Sequence, residues 1–433
     1  MKKYTYKSSG IKWLGDIPNH WKVDRVKDVS SLRDEKVKIK SAEYNYLELE
    51  NLEQGTGKVI SFKNTLEVGS AVMRYKKGDV LFGKLRPYLE KYYYTMEDGY
   101  CTGEILAIEP KRIEGRFLKY FFSSPNFISQ CVVFSYGTKM PRINWQKQIG
   151  IFYLPLPPIQ EQKNVADYLD IITDKLDRIL SIKQEQLDKI ESSLKSKVKE
   201  LITLGIQGEK TKKTDIEWFS DIPKSWKTIR LKSVVSKVNS GVTPKGGATA
   251  YVEEGVPLIR SQNVVFDGLD LDDVVFIKEI THDKMKNSKV FNGDVLLNIT
   301  GASIGRTCYV ENIEEANVNQ HVCIIRPFQF ITTKYLYYLL FSEVGQAQVF
   351  SGFKGSGREG LNFESIKTFK LPLPPSKDEQ NQITEKLDDL IKVSRKSRDN
   401  IISQIKTMRD YRNSLIQECV TGKKQVCEAY IEE

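Results

Sequence analysis

The sequence predicts an α/β protein with an internal pseudo-twofold repeat. Two modules, each with a curved sheet that is mixed or mostly antiparallel, are separated by two long helices pairing as an antiparallel coiled coil. Three observations predict this. The chain is written twice, each copy ends on a long charged segment with apolar periodicity, and short β-branched runs broken by Gly, Asn or Pro precede each such segment. At 433 residues the chain exceeds one compact core. The expected division is a first module at 1–153, a central helix at 154–207, a second module at 208–370 and a C-terminal helix with its tail at 371–433.

The repeat begins at once. IKWLGDIPNHWKVDRVKDV from Ile11 lines up with IEWFSDIPKSWKTIRLKSV from Ile216, matching Trp13 and Trp21 with Trp218 and Trp226. KKGDVLF from Lys76 answers FNGDVLL from Phe291, and RFLKYFF from Arg116 answers KYLYYLL from Lys334. GTKMPRINW from Gly137 answers GSGREGLNF from Gly355, with Asn144 and Asn362 aligned. Between these landmarks the copies diverge, GKLRPYLEKYYY from Gly83 standing against NITGASIGRTCYV from Asn298. A shared scaffold with a variable interior suits two modules doing one job on different targets; the alternative is an old duplication that drifted. DVVFIKEI, DVLLNIT and HVCIIRP read as strands. RFLKYFFSSPNFISQCVV and KYLYYLLFSEVGQAQVF read as helices with apolar faces.

Each copy closes on LPLPP and a long helix. Pro158 and Pro375 stand just ahead of it, where a missing N–H costs nothing. Ser376-Lys-Asp-Glu379 reads as a capping box. Apolar residues follow at Val165, Leu169, Ile172, Leu176 and Ile179, then at Leu187, Ile190, Leu194, Val198 and Leu201. The second helix has Ile383, Leu387 and Leu390, a polar middle through Ser394 and Arg398, then Ile401, Ile405, Met408 and Leu415. Alternating three- and four-residue spacing predicts a coiled-coil seam. Gln162 to Leu201 would span roughly 58 Å and Gln380 to Leu415 roughly 52 Å, more than one ~34 Å turn of B-DNA. The alternative packs each helix on its own module.

Composition narrows the function. Forty per cent hydrophobic content is ordinary for folded protein, and 66 Lys and Arg against 56 Asp and Glu leave a net charge of +10. That excess favours a polyanion, nucleic acid first. MKKYTYKSSG lacks the apolar run of a signal peptide, and no stretch approaches the ~20 apolar residues of a membrane helix. Six scattered cysteines (Cys101, Cys131, Cys308, Cys323, Cys419 and Cys427) include no CxxC pair and read as reduced cytosolic thiols. His20, His282 and His321 form no HExxH, and neither GxxxxGK[ST] nor an adenine-methyltransferase [DN]PP[YF] occurs. GVTPKGG from Gly241 reads as a turn in a loop.

Polar and basic side chains recur in the loops. In the first copy these are Lys84, Arg86, Tyr88 and Lys91, with Lys139 and Arg142 before Asn144. In the second they are Arg260, Gln262, Asn263, Arg306, Asn319 and Gln320, with Lys354 and Arg358 before Asn362. Arginine can pair bidentately with guanine and Asn or Gln with adenine, while lysine holds phosphate. These residues are the candidate DNA contacts, and a solvated surface is the alternative for each.

On the W-x7-W opening with its DIP, the GDVL strand, the G-x6-N segment and the LPLPP…EQ helix, each present twice, the chain resembles the specificity subunits of type I restriction-modification systems. The resemblance spans nearly the whole sequence. It implies two target recognition domains, each reading one half of a split double-stranded DNA target, with the paired helices as spacer and docking surface for two methyltransferase subunits. It further implies that those partners methylate adenine with S-adenosylmethionine, that motor-nuclease subunits using ATP and Mg join for cleavage, and that this cytoplasmic chain holds no cofactor and is not itself catalytic. A standalone methyltransferase or nuclease with unrecognised motifs and a non-catalytic scaffold are the competing readings.

Overall fold

A computed structural model describes residues 4–38, 43–64, 71–206, 208–266, 268–354 and 360–426, with backbone alone at 353 and 354. The chain divides into two compact units, one made of Met1–Glu185 with Ile401–Glu433 and the other of Gln186–Asn400.

The first unit distributes its strands over two main sheets rather than one. Tyr92–Tyr94, Val80–Gly83, Ile105–Pro110 and Ser30–Leu32 lie side by side in that order, all antiparallel. Lys36–Val37, Val72–Tyr75, Gly99–Cys101, Asn45–Leu47 and Lys63–Asn64 form the other, in which Gly99–Cys101 and Asn45–Leu47 run parallel. In the second unit the antiparallel sheet runs Val235–Ser240, Val322–Pro327, Val295–Asn298, Thr307–Tyr309. Its mixed sheet runs Val275–Ile277, Val256–Ile259, Ala316–Val318, Lys289–Val290, with the middle pair parallel. The strand orders match one for one, except that Lys36–Val37 has no counterpart in the second mixed sheet.

Val80–Gly83, and Val295–Asn298 up to its last residue, are apolar because the strand is covered on both faces. Val80 and Phe82 join Phe117, Phe121, Phe122 and Phe127 in one core, while Leu81 points the other way among Leu47, Tyr75 and Ile105. Val295 and Leu297 likewise face one core and Leu296 another. Each fully buried side chain of this kind contributes about 1.5–3 kcal/mol. Each long aromatic segment is a pair of helices. Gly115–Ser123 stops where Pro125 opens Pro125–Val133, and Thr333–Phe341 gives way at Ser342 to Glu343–Lys354.

The repeated tryptophan and the EQ dipeptide explain one another. The Trp21 indole N–H donates to Glu161 at 2.8 Å, and that of Trp226 donates to Glu379 at 2.8 Å. The next residue, Gln162 or Gln380, accepts at 2.8 Å from the backbone N–H of Glu114 or Thr332, the cap of the aromatic helix. One dipeptide thereby fastens the start of each long helix to the opening of its own unit. Ser376 accepts from the Glu379 N–H at 3.2 Å as a capping box requires, but the Glu379 carboxylate turns to Trp226.

The expected long coiled coil does not form. The helices are long, Ile159–Leu204 and Lys377–Val420, but apart from Ile405 their apolar stripes are buried toward the ends. Val165, Tyr168 and Leu169 enter the core of the first unit, as do Leu415, Ile416 and Cys419. Val198, Ile202, Ile383, Leu387 and Ile391 enter that of the second. From Leu176 to Leu194 no stripe residue is buried, and Ile179, Val393 and Ile402 are exposed. A globular core offers each end more apolar area than a two-helix seam, and the charged middle has little to bury. Three-four spacing reported amphipathic helices; it did not report their partner.

Candidate nucleic-acid interface

The divergent loops of both units leave the scaffold at an equivalent backbone junction. In the first unit the GDVL strand runs out at Lys84, whose N–H donates to the Glu104 carbonyl at 3.0 Å and whose carbonyl accepts from the Ile143 N–H at 2.9 Å. In the second it runs out at Ile299, which donates to the His321 carbonyl at 3.0 Å and accepts from Leu361 at 2.8 Å. Isolated bridges follow, Leu85 with Arg142 and Thr300 with Gly360. Segments remote in sequence thus meet at one edge of each unit. The aligned asparagines support these loops. The Asn144 side chain accepts from the Lys147 N–H at 3.1 Å, and that of Asn362 from the Ser365 N–H at 2.7 Å, capping Phe363–Lys367.

In the first unit the junction brings together Lys84, Arg86, Tyr88, Lys139 and Arg142. Arg86 donates its backbone N–H to Pro141 at 2.7 Å, joining the two candidate loops. Arg86 and Glu90 both have a φ of 51° and flank a single turn at Pro87–Leu89. Holding two non-glycine residues there costs on the order of 1–3 kcal/mol each and fixes the loop's shape. Arg142 is spent on Glu104 at 3.2 Å, and the Lys91 ammonium is spent on the Leu52 carbonyl. Tyr88 is 47% exposed, and Arg86 and Lys139 are exposed with no ion-pair partner among the described residues.

The second unit commits more of its candidates. Arg260 pairs with Asp273 at 3.0 Å and Gln262 bonds the same carboxylate. Asn263 is buried, accepting from the Arg260 N–H at 2.9 Å and donating to the Asp270 carbonyl at 2.9 Å, so it builds its loop. Arg306 and Gln320 are exposed near the junction, and Asn319 shapes the turn by accepting from the His321 N–H at 3.1 Å. Arg358 and the side chain of Lys354 lie outside the described residues. No motif or spacing in the sequence singles out Thr243, Thr300 or His321. Thr243 bonds Gln320, and the Thr300 hydroxyl lies 2.6 Å from the His321 ring. Only their convergence in space marks them.

This surface presents guanidinium, amide and hydroxyl groups. A cleft of about 720 Å³ in the first unit, lined by Glu53, Lys58, Glu90, Asp177 and Arg412 among others, mixes charges of both signs without a histidine or cysteine. Five cysteines are free and buried, and burial pushes the thiols of Cys101, Cys308, Cys323 and Cys419 up to about 12, too high for nucleophilic work. Among the described residues no group of three or more His, Cys, Asp or Glu could hold a metal, and no helix is long and apolar enough to cross a membrane.

Comparison with known proteins agrees with this picture. The family model for the type I restriction modification DNA specificity domain matches twice, over residues 18–192 and 223–407. The chain is 28% identical over 274 residues to the type I restriction enzyme MjaVIII specificity subunit of Methanocaldococcus jannaschii, covering 61% of this chain and 62% of that one. It is 27% identical over 277 residues to the EcoBI specificity subunit of Escherichia coli, covering 61% and 56%. The alignments therefore span less than two thirds of either relative. A putative MjaX specificity subunit, also of M. jannaschii, aligns at 23% identity over 92% of this chain and 94% of its own. Among solved structures, a chain from a study of complex assembly and conformational transition of the type I R-M system shares the fold at a TM-score of 0.74 and 17% identity, covering 94% of this chain and 99% of that one. The HsdS subunit of Thermoanaerobacter tengcongensis matches at 0.50 and 17%, covering 94% and 98%.

Proposed function

Since the chain belongs to the type I restriction modification DNA specificity domain family, we propose that it is the non-catalytic, sequence-reading subunit of a type I restriction-modification complex. Each unit reads one half of a split double-stranded DNA target. The chain docks two methyltransferase subunits, which carry S-adenosylmethionine and modify adenine, and motor-nuclease subunits that use ATP and Mg join for cleavage. The complex works in the cytoplasm, where unpaired thiols persist.

One observation carries this reading. Two units of matching strand order present unlike side chains from an equivalent junction, as one scaffold must in order to read two sequences. The candidate contacts are Arg86, Tyr88, Lys84 and Lys139 in the first unit and Arg306, Gln320 and Asn319 in the second. Lys354 and Arg358 stay candidates on sequence grounds. Lys91, Arg142, Arg260, Gln262 and Asn263 hold the loops in shape. The net charge of +10 supplies attraction to phosphate that weakens steeply with salt.

The test is a map of modified adenines in DNA from cells carrying this chain with a type I methyltransferase partner. Methylation confined to one two-part sequence, with two short protected blocks in a footprint, is the expected result. One continuous specific block, or methyl transfer by the purified chain alone, overturns it.

A further inference from the structure

We propose that Gln320 reads an adenine in the half-site of the second unit, its amide held in the reading orientation by Thr243 and His321. This rests on the DNA-reading function above and adds the base, the residue that reads it and the residues that position that reader.

Gln320 is the exposed apex of a tight turn. The strand Ala316–Val318 ends beside it, Asn319 accepts from the His321 N–H at 3.1 Å, and the Val322 N–H returns to the Asn319 carbonyl at 3.3 Å. A second loop is pressed onto this turn at Gly241. A Cβ there would lie 1.6 Å from the Val318 carbonyl oxygen, so only glycine allows the approach, and the Gly241 N–H donates to the Asn319 carbonyl at 3.1 Å. The approach carries Thr243 to Gln320, where its hydroxyl donates to Oε1. On the other side the Gln320 Nε2 lies 3.0 Å from Nε2 of His321, whose Nδ1 lies 2.6 Å from the Thr300 hydroxyl. Four side chains from three segments thus form one chain of hydrogen bonds in which Gln320 stands between Thr243 and His321.

What remains unused on the amide decides the base. A primary amide has two N–H donors and two acceptor lone pairs. Thr243 occupies one lone pair and His321 one N–H, leaving one of each without a partner among the described residues on an exposed side chain. Exchanging the amide oxygen and nitrogen leaves the same remainder, because the threonine hydroxyl and the imidazole nitrogen can each donate or accept. One donor and one acceptor side by side match N7 and the N6 amino group of adenine in the major groove. Guanine offers two acceptors there and is matched on one side only. A glutamine already held by two neighbours is also spared much of the rotamer entropy that a free one loses on binding. Two other candidate amides of the second unit lack this freedom, since Gln262 is tied to Asp273 and Asn263 is buried.

The experiment uses the full chain assembled with its methyltransferase partner and a library of DNA duplexes randomised across both half-sites, sequenced after selection for binding. Wild type is expected to select adenine at one position that Gln320→Ala relaxes by roughly tenfold or more, leaving the other half-site unchanged. Selection at that other half-site also reports that each variant is folded and assembled. Gln320→Glu should move the preference toward cytosine, whose N4 amino group a carboxylate accepts. Thr243→Val should weaken the adenine preference and Thr243→Ser restore it. Replacing that adenine with 7-deazaadenine should weaken wild type but not Gln320→Ala. Unchanged preferences in Gln320→Ala, or loss at a position that is not adenine, overturn this inference and leave the DNA-reading function standing. A wild-type complex that selects no sequence overturns both.

Discussion

The aspartate of the GDVL strand occupies the same place in both units, yet the arginine that neutralises it comes from different strands. Asp79 accepts from Nε and Nη2 of Arg33, the residue after Ser30–Leu32, at 2.7 and 3.0 Å. Asp294 accepts from Nε and Nη2 of Arg326, in Val322–Pro327, at 2.6 and 2.8 Å. By strand register the position of Arg326 is held in the first unit by Glu109, and that of Arg33 is held in the second by Asn239. The aspartates are 2% and 1% exposed, so neither can stand without a counter-charge. What the copies share is an electrostatic requirement, and either neighbouring strand can meet it. The loops at the junction differ in another way. They answer to no common internal requirement, so Arg86 and Thr300 lie beside equivalent junctions of their own units with unrelated chemistry.

The largest expected effect tests whether the two cores are separate. Trp21 and Trp226 are 1% and 0% exposed, so Trp21→Ala or Trp226→Ala should cost about 3–5 kcal/mol. Amide hydrogen exchange should show each substitution loosening its own unit; equal loosening of both would show that the cores act as one. Next comes the swapped ion pair. Arg33→Asn should cost about 3 kcal/mol by stranding Asp79, and adding Glu109→Arg should recover most of that in a urea titration. A double variant no more stable than the single would show that strand position matters beyond charge.

The smallest effect concerns the carboxylates that hold the long helices. Asp170 accepts from the Tyr120 hydroxyl at 2.6 Å, from Arg116 at 2.9 Å and from Lys119 at 3.0 Å. Asp388 receives the Tyr338 hydroxyl and Lys334 at 3.1 Å, one cation fewer. Burial alone would raise the Asp170 carboxyl, but Lys119, Tyr120 and Arg116 outweigh it and hold it below its ordinary value. A depressed carboxyl adds stability that is fully present above roughly pH 3.9 and is lost as pH falls through the lower folded value. The carboxylate is 35% exposed, so solvent screening limits this to under about 1 kcal/mol. Acid unfolding curves of wild type and Asp170→Asn should therefore converge below that window. Curves that stay parallel down to pH 2 would remove Asp170 from the account.

Much of each unit was legible in the sequence. The repeat, the GDVL strands, the aromatic helices and the long helices each follow a periodicity or a cap that local chemistry imposes. The strand order was not legible, because the parallel pair in each mixed sheet joins segments remote in the chain. Of the candidate contacts, Arg86, Lys139, Arg306 and Gln320 are exposed near the junctions, whereas Lys91, Arg142, Arg260, Gln262 and Asn263 are engaged by partners that spacing does not mark.

Two copies of one α/β scaffold and two long amphipathic helices can be read from the residues alone, since periodicity and duplication are written position by position. Where the helices bury their stripes, and which polar side chains are already occupied, emerge from the folded chain. Both depend on what lies within a few ångströms in space, and that is set by the junction of distant segments and by which core offers more apolar area.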